Sequence, residues 1–207
     1  MSDNVLMDTL LSRRSLKPKY LTTPTPTLEV LAHAARAALR APDHDSLTPY
    51  RFVAIREEDR EKLADLFEAA ARQKTTDEEK LAKARSKAKK GPQLVAFIFS
   101  PKKEQDDVSE TEQLITAGAA LEQFLLALKA QGFAAIVLSG SALNAPEVQA
   151  AFIQSPSERV LAWITCGTAK KDAPQAEKET RDGPQLDHRR PLTQEERCRL
   201  NAVFSGI

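Results

Sequence analysis

The sequence predicts an α+β or mixed α/β layer structure. Three observations lead there: short apolar runs with strand character at 51–55, 94–100, 134–138 and 159–167, helical patterns of period 3.6 between them, and no internal repeat. With 207 residues and 42% hydrophobic composition the chain can bury one sizeable core, so a single domain is expected.

Residues 3 to 13 carry Leu6, Leu10 and Leu11 on one side and end in Arg13 and Arg14, cations that suit a helix C-terminus. A first helix therefore delivers Arg13, Arg14 and Ser15 to its exit. Thr27 can cap a second helix on which Leu28, Leu31, Ala35, Ala38 and Leu39 follow the period, stopping where Pro42 restricts Ala41. RFVAI then reads as a first short strand. A charged helix follows from about 58 to 71, with Leu63, Leu66, Phe67 and Ala70 inward. Thr76 and Glu79 make a capping box for another helix, ended by Gly91 and Pro92. That helix holds Lys80, Lys83, Arg85, Lys87, Lys89 and Lys90. No aromatic residue interrupts the run to stack on a base, so it reads as a solvated face, and no nucleic-acid partner is expected.

LVAFIFS at 94–100 has the near-continuous apolar character of a strand covered on both faces. The longest helix spans about 110 to 131. In it Leu114, Ile115, Leu121, Phe124, Leu125 and Leu128 leave few polar positions, while Ala117, Gly118, Ala119 and Ala120 remove bulk. It should be central, packed closely by another helix or by a second subunit. Gly132 closes it, 134–138 is a third strand, a short helix lies near Pro146 to Phe152, and RVLAWITCG at 159–167 is a fourth strand. From Lys170 onward the chain turns polar and Pro-containing, before Thr193 and Glu196 box a last helix with Leu200, Val203 and Phe204. An extended arm is thus expected to leave the domain, which makes dimerisation the natural outcome.

Thirty Lys and Arg against 29 Asp and Glu leave a formal charge of +1, so no global field points to nucleic acid or an acidic membrane. Cys166 and Cys198 have no partner spacing, and the start MSDNVLMDTL lacks a basic segment followed by an apolar one; a cytoplasmic location is expected. No apolar run approaches the roughly 20 residues of a membrane helix. There is no G-x-S-x-G, and the serines of LSGSA have no obvious acid and base. His33, His44 and His188 share no ligand spacing, so no metal is expected. Seven glycines form neither G-x-G-x-x-G nor G-x-x-x-x-G-K-[ST], so any phosphorylated cofactor must be held by arginines and hydroxyls. Arg13, Arg14 and Ser15 suit that task, since two guanidinium forks and a hydroxyl in succession can give a phosphate several charge-assisted hydrogen bonds.

Taken together, RRS near the N-terminus, RAPDHDSLTPYRFVAI at 40–55, AQGFAAIVLSG across the third strand and WITCGT at the end of the fourth resemble the FMN-dependent nitroreductase family. The likeness runs from residue 8 to about 170 and is strongest to a small NAD(P)H-dependent branch, whose opening stretch reads R-A-P-[SD]-H-x-x-x-Q-P-W-x-F. The resemblance implies a three-layer fold with a central mixed or antiparallel sheet of four to five strands. It implies an FMN-binding domain over 1–170, and an arm over 171–207 that crosses to the partner of a homodimer with FMN at the interface. It implies that Arg13, Arg14 and Ser15 hold the FMN phosphate and ribityl end with Arg40 nearby, that His44 reaches the partner's flavin site, and that Val137, Leu138 and Ser139 line the isoalloxazine ring. The chain departs from the branch at 134–140, where Ala-Ala-Ile-Val-Leu-Ser-Gly replaces G-G-I-W-R-S-G, and at Thr48, Tyr50 and Ala169, where Gln, Trp and Pro are usual.

The expected activity is transfer of electrons from NAD(P)H through flavin N5 to a nitroaromatic, a quinone or a similar electron-poor acceptor, with no acid or base residue assigned because the cofactor carries the chemistry. The alternative is a flavin- or ligand-binding dimer with little turnover, motivated by the altered 134–138 strand. A third reading places nucleic acid on the lysine-rich helix and predicts strongly salt-dependent binding.

Overall fold

A computed structural model describes residues 5–102, 107–140 and 142–174. The elements follow in the order α1 (Val5–Ser12), β1 (Leu21–Thr22), α2 (Leu28–Ala38), β2 (Tyr50–Ile55), α3 (Arg60–Arg72), α4 (Glu78–Ser86), β3 (Gln93–Phe99), α5 (Glu110–Ala130), β4 (Ala134–Leu138), α6 (Pro146–Ala150) and β5 (Arg159–Ala169). Most of the expected arm, with the helix boxed by Thr193 and Glu196, lies outside the described residues.

Strand β3 lies between β2 and β5, and β5 also pairs with β1 and β4, giving a five-stranded sheet. Every strand pair is antiparallel. A parallel bridge between Ser15 and Ala135 adds the segment after α1 to the sheet. Side chains alternate across β3 with period two. Val95, Phe97 and Phe99 enter one core with Leu31, Ala34 and Ala38 of α2 and Phe124 and Leu128 of α5. Leu94, Ala96 and Ile98 enter a second core with Leu63 and Phe67 of α3 and Val148 of α6. The result is the expected three-layer α+β architecture, with the β3 sequence apolar throughout because both faces are covered. Phe52 stacks on Phe124 across the first core, with centroids 4.3 Å apart.

The small residues of α5 do what their size suggests. Ala117 and Ala120 are fully buried against Ala34 and Ala38 of α2, so the two helices approach closely. The long helix starts on a capping box, in which the Ser109 hydroxyl accepts from the Glu112 N–H at 3.2 Å and the Glu112 carboxylate accepts from the Ser109 N–H at 3.0 Å.

Several sequence expectations shift locally. Leu28 and Leu39 of the second helical pattern are exposed, and Ala34 takes their place in the seam; Leu114 and Ile115 of α5 are exposed too. The cap of α4 is Asp77 rather than Thr76, with its carboxylate accepting from the Glu79 and Lys80 N–H groups at 3.0 and 3.3 Å. RFVAI is not the first strand: Leu21 and Thr22 pair with Ala169 and Thr168. Two residues carry no periodicity, so only the distant partner makes them a strand.

Gly91 has φ +76°, and a Cβ there would sit 1.9 Å from the Thr165 Oγ1. That hydroxyl already donates to the Lys90 and Gln93 carbonyls at 3.3 and 3.1 Å. Gly91→Ala is therefore expected to destabilise by about 2 kcal/mol or more, through both the left-handed backbone and the overlap, read as a lower urea midpoint.

Candidate functional site

The site is built from the segment that leaves α1. The Arg13 N–H donates to the Thr9 carbonyl at 3.0 Å, completing the helix, and three residues later the Leu16 N–H donates to the Ala135 carbonyl at 3.1 Å. Leu16 is buried, so its side chain anchors the segment. Ser15 is thereby laid beside Ala135 on β4. Residues along an antiparallel strand alternate in the direction of their peptide groups. Because the Ala135 carbonyl points away from β5 toward Leu16, the Val137 N–H and C=O point to that same outer edge.

The Arg13 Nε pairs with the Glu122 carboxylate of α5 at 2.8 Å. Arg14 and Lys129, from the last turn of α5, make no ion pair among the described residues and line a cleft of about 100 Å³ together with Arg13, Ser12 and Ala135. Two unpaired cations thus border one small opening at the start of β4, and the exposed Ser15 stands beside Ala135 of its lining.

At the other end of β4, Leu138 and Ser139 line a cleft of about 240 Å³ with Phe67, Trp163, Lys87 and Lys90. This cleft lies on the α3 side of the sheet, whereas Leu125 and Phe133 place the smaller one on the α5 side. Their common feature is the outer edge of β4, from Ser15 to Ser139. The side chain of Val137 packs against the α2–α5 core.

Arg40 and His44 are elsewhere. Arg40 is exposed just beyond α2, and the His44 Nδ1 lies 3.7 Å from the Glu112 carboxylate at the first turn of α5. Glu112 and the Glu122 that holds Arg13 are ten residues apart, or about 15 Å along a helix. The chain therefore brings Arg13, Arg14, Ser15, Val137, Leu138 and Ser139 to one edge, while Arg40 and His44 border neither cleft.

The loop carrying His44 is tightly made. The Asp43 carboxylate accepts from the Thr48 N–H at 2.7 Å, the Thr116 hydroxyl donates to the Pro42 carbonyl at 3.0 Å, and Asp45, Ser46 and Thr48 all have positive φ. For a β-branched residue such as Thr48 this is a strained backbone, a feature concentrated at functional loops. Tyr50, which stands where Trp is usual in the resembling branch, is buried and donates its hydroxyl to the Ala38 carbonyl at 2.9 Å, tying β2 to the end of α2. Burial first, and then the Asp43 charge, raise its pKa above the ordinary tyrosine value.

Sequence reasoning missed Lys129, Lys87 and Lys90. Lys129 carries only the generic signature of a cation near a helix C-terminus, and the other two belong to a run that reads as solvent-facing. No pattern in the chain says which cavity they border.

The fold and site define a three-layer α+β protein with a cationic opening at the free edge of its sheet. A family model described as the nitroreductase family matches residues 10–168. A Haemophilus influenzae protein named "Putative NAD(P)H nitroreductase" is 36% identical over 165 residues, covering 80% of this chain and 89% of its own. The chain belongs to the nitroreductase family. Among solved structures, a nitroreductase-like family protein from Bacillus cereus superposes with TM-score 0.69 at 19% identity, covering 87% of this chain and 93% of its own. A Desulfovibrio desulfuricans protein solved in complex with FMN gives 0.64 at 19% identity, covering 93% and 100%. Among the described residues no helix is long and apolar enough to cross a membrane.

Proposed function

We propose that this chain is an FMN-dependent oxidoreductase that takes electrons from NAD(P)H and delivers them to a nitroaromatic, quinone or similar electron-poor acceptor. The observation that carries the reading is the Leu16 to Ala135 hydrogen bond, which sets Arg14 and Ser15 against the strand whose outer edge leads to Val137, Leu138 and Ser139. The donors fit the cofactor: Arg14, Ser15 and Lys129 suit a phosphate, and the outward N–H of Val137 suits the edge of a flavin ring. When bound, FMN supplies the hydride chemistry at its N5 atom. The chain's own part is to hold the phosphate, present backbone donors along β4, and keep Leu138 against the ring end.

In this reading Arg13 is a supporting residue, already engaged by Glu122, and Arg14 bears more of the phosphate charge. Arg40 and His44 would serve the site of the second subunit, in keeping with their separation from β4. A homodimer is favoured by Val5, Leu6 and Leu11 of α1 and by Leu28 and Ile115, each at least 67% exposed and in need of cover. The cytoplasm remains the expected location, with residues 171–207 as the arm of the dimer.

The test is the visible spectrum of the purified protein under anaerobic NADPH and then NADH. A yellow protein that bleaches with either donor is expected. Bound flavin that neither donor bleaches would reassign the chain as a flavin-binding dimer without turnover.

A further inference from the structure

The lysine-rich hairpin of α3 and α4 is not uniformly solvated: its charges are sorted by face. On one face the acids of α3 are engaged by cations. Arg85 bonds Glu61 at 2.9 Å, Glu68 at 3.1 Å and also Asp65; Arg72 bonds Glu68 at 2.7 Å; Lys89 bonds Glu61. On the other face Lys74, Lys80, Lys83 and Lys87 border a groove of about 250 Å³ with no acidic side chain in its lining. Of these four only Lys80 has an anionic partner among the described residues, its own helix cap Asp77 at 3.4 Å. Four cations gathered around one groove repel one another unless an anion enters it.

The groove is continuous with the cleft of about 240 Å³ at the end of β4. Phe67, Lys87 and Ala142 line both, and Lys90 stands on the cleft side. From Lys87 the ladder runs back through Lys83 to Lys80, about 10 Å along the helix axis. Its floor is apolar, with Phe67, Ala70 and Ala84.

We propose that this groove receives the phosphorylated arm of the electron donor and makes the protein selective for NADPH over NADH. The inference rests on the flavin site proposed above, which sets where the nicotinamide must act. The choice of donor follows from chemistry. A site that prefers NADH accepts hydrogen bonds from the ribose hydroxyls with an acidic side chain, and one that prefers NADPH answers the 2′-phosphate with cations. This groove offers cations and no carboxylate. The pyrophosphate would meet Lys87 and Lys83, the 2′-phosphate Lys80 and Lys74, and the adenine the apolar floor.

The experiment uses the FMN-loaded full-length protein and its Lys80→Gln/Lys83→Gln variant. Anaerobic flavin bleaching is followed with NADPH and with NADH, and binding of 2′,5′-ADP and of 5′-ADP is measured by calorimetry. NADPH is expected to be favoured about tenfold or more, with the variant losing about tenfold of that ratio and its preference for 2′,5′-ADP while keeping its flavin. Equal use of both donors by the parent protein, or an unchanged ratio in the variant, overturns the inference and leaves the oxidoreductase reading standing. If neither donor bleaches the flavin, both fall. If the variant keeps its donor ratio but loses preference for a carboxylated over a neutral nitroaromatic, the anion belongs to the acceptor and the nucleotide assignment is wrong. Retention of an oligonucleotide by the parent but not the variant at moderate salt, with equal donors, would make the groove a polyanion site instead.

Discussion

Replacing Arg14 by Ala is expected to yield a folded protein that no longer holds FMN through purification. Each charge-assisted bond to a phosphate contributes on the order of 1.5–3 kcal/mol, so the single change should weaken FMN binding by about tenfold to a hundredfold, and Arg13→Ala/Arg14→Ala by more. The two arginines are not equivalent, because Arg13 already pairs with Glu122 while Arg14 has no partner among the described residues. Arg14→Ala should therefore cost more flavin than Arg13→Ala. Stability is expected to change little, since the Arg13 to Glu122 pair is partly exposed and such pairs contribute about 0–1 kcal/mol. The ratio of visible to ultraviolet absorbance gives the occupancy and a thermal melt gives the fold. Full occupancy in the double variant would remove the phosphate assignment.

Arg51→Met is expected to be among the most destabilising changes in the molecule. Arg51 lies on β2 and grips Glu158, just before β5, with its Nε at 2.9 Å and its Nη2 at 2.7 Å, and also donates to the Phe152 carbonyl. Glu158 is buried and takes a further bond from the Gln154 N–H at 2.6 Å. Removing the cation leaves an uncompensated buried carboxylate, a loss of about 3–5 kcal/mol or roughly 10 °C in Tm for a chain of this size. Arg51→Met/Glu158→Leu should recover much of that loss, because no buried charge then remains. The same pair sets an acid limit. The Arg51 guanidinium, before any other cause, lowers the Glu158 pKa from 4.5 to about 2. A carboxyl depressed by folding stabilises fully above its unfolded pKa and loses that contribution as pH falls toward the folded value. Stability worth on the order of 3 kcal/mol should thus disappear between about pH 4.5 and pH 2, and the loss should be much smaller in the double variant.

Much of the architecture was legible along the chain because it rests on local periodicity. Residues 94–99 are apolar without interruption because both faces of β3 are covered, and 134–138 is a strand to the residue. The long helix reads clearly for the same reason, as does the exit of Arg13, Arg14 and Ser15 from α1. What failed was whatever depends on a partner remote in sequence. Leu28, Leu39, Leu114 and Ile115 obey the helical period and are nonetheless exposed, since periodicity names a face and not what covers it. The strand at Leu21–Thr22 exists only through Ala169 and Thr168.

The sequence by itself determined the helices, the strong strands and the trio Arg13, Arg14 and Ser15, because residue type and spacing act within a few turns of chain. Only the tertiary structure decided that Ser15 lies beside β4, that Lys129 joins Arg13 and Arg14, and that His44 meets α5 at Glu112, about 15 Å along the helix from the Glu122 that holds Arg13. It also decided that Lys80, Lys83 and Lys87 of a run that reads as solvated, together with Lys74, border a groove without an acid. Those are facts of distance between segments far apart in the chain, and distance is fixed by the packing of helices on both faces of one antiparallel sheet.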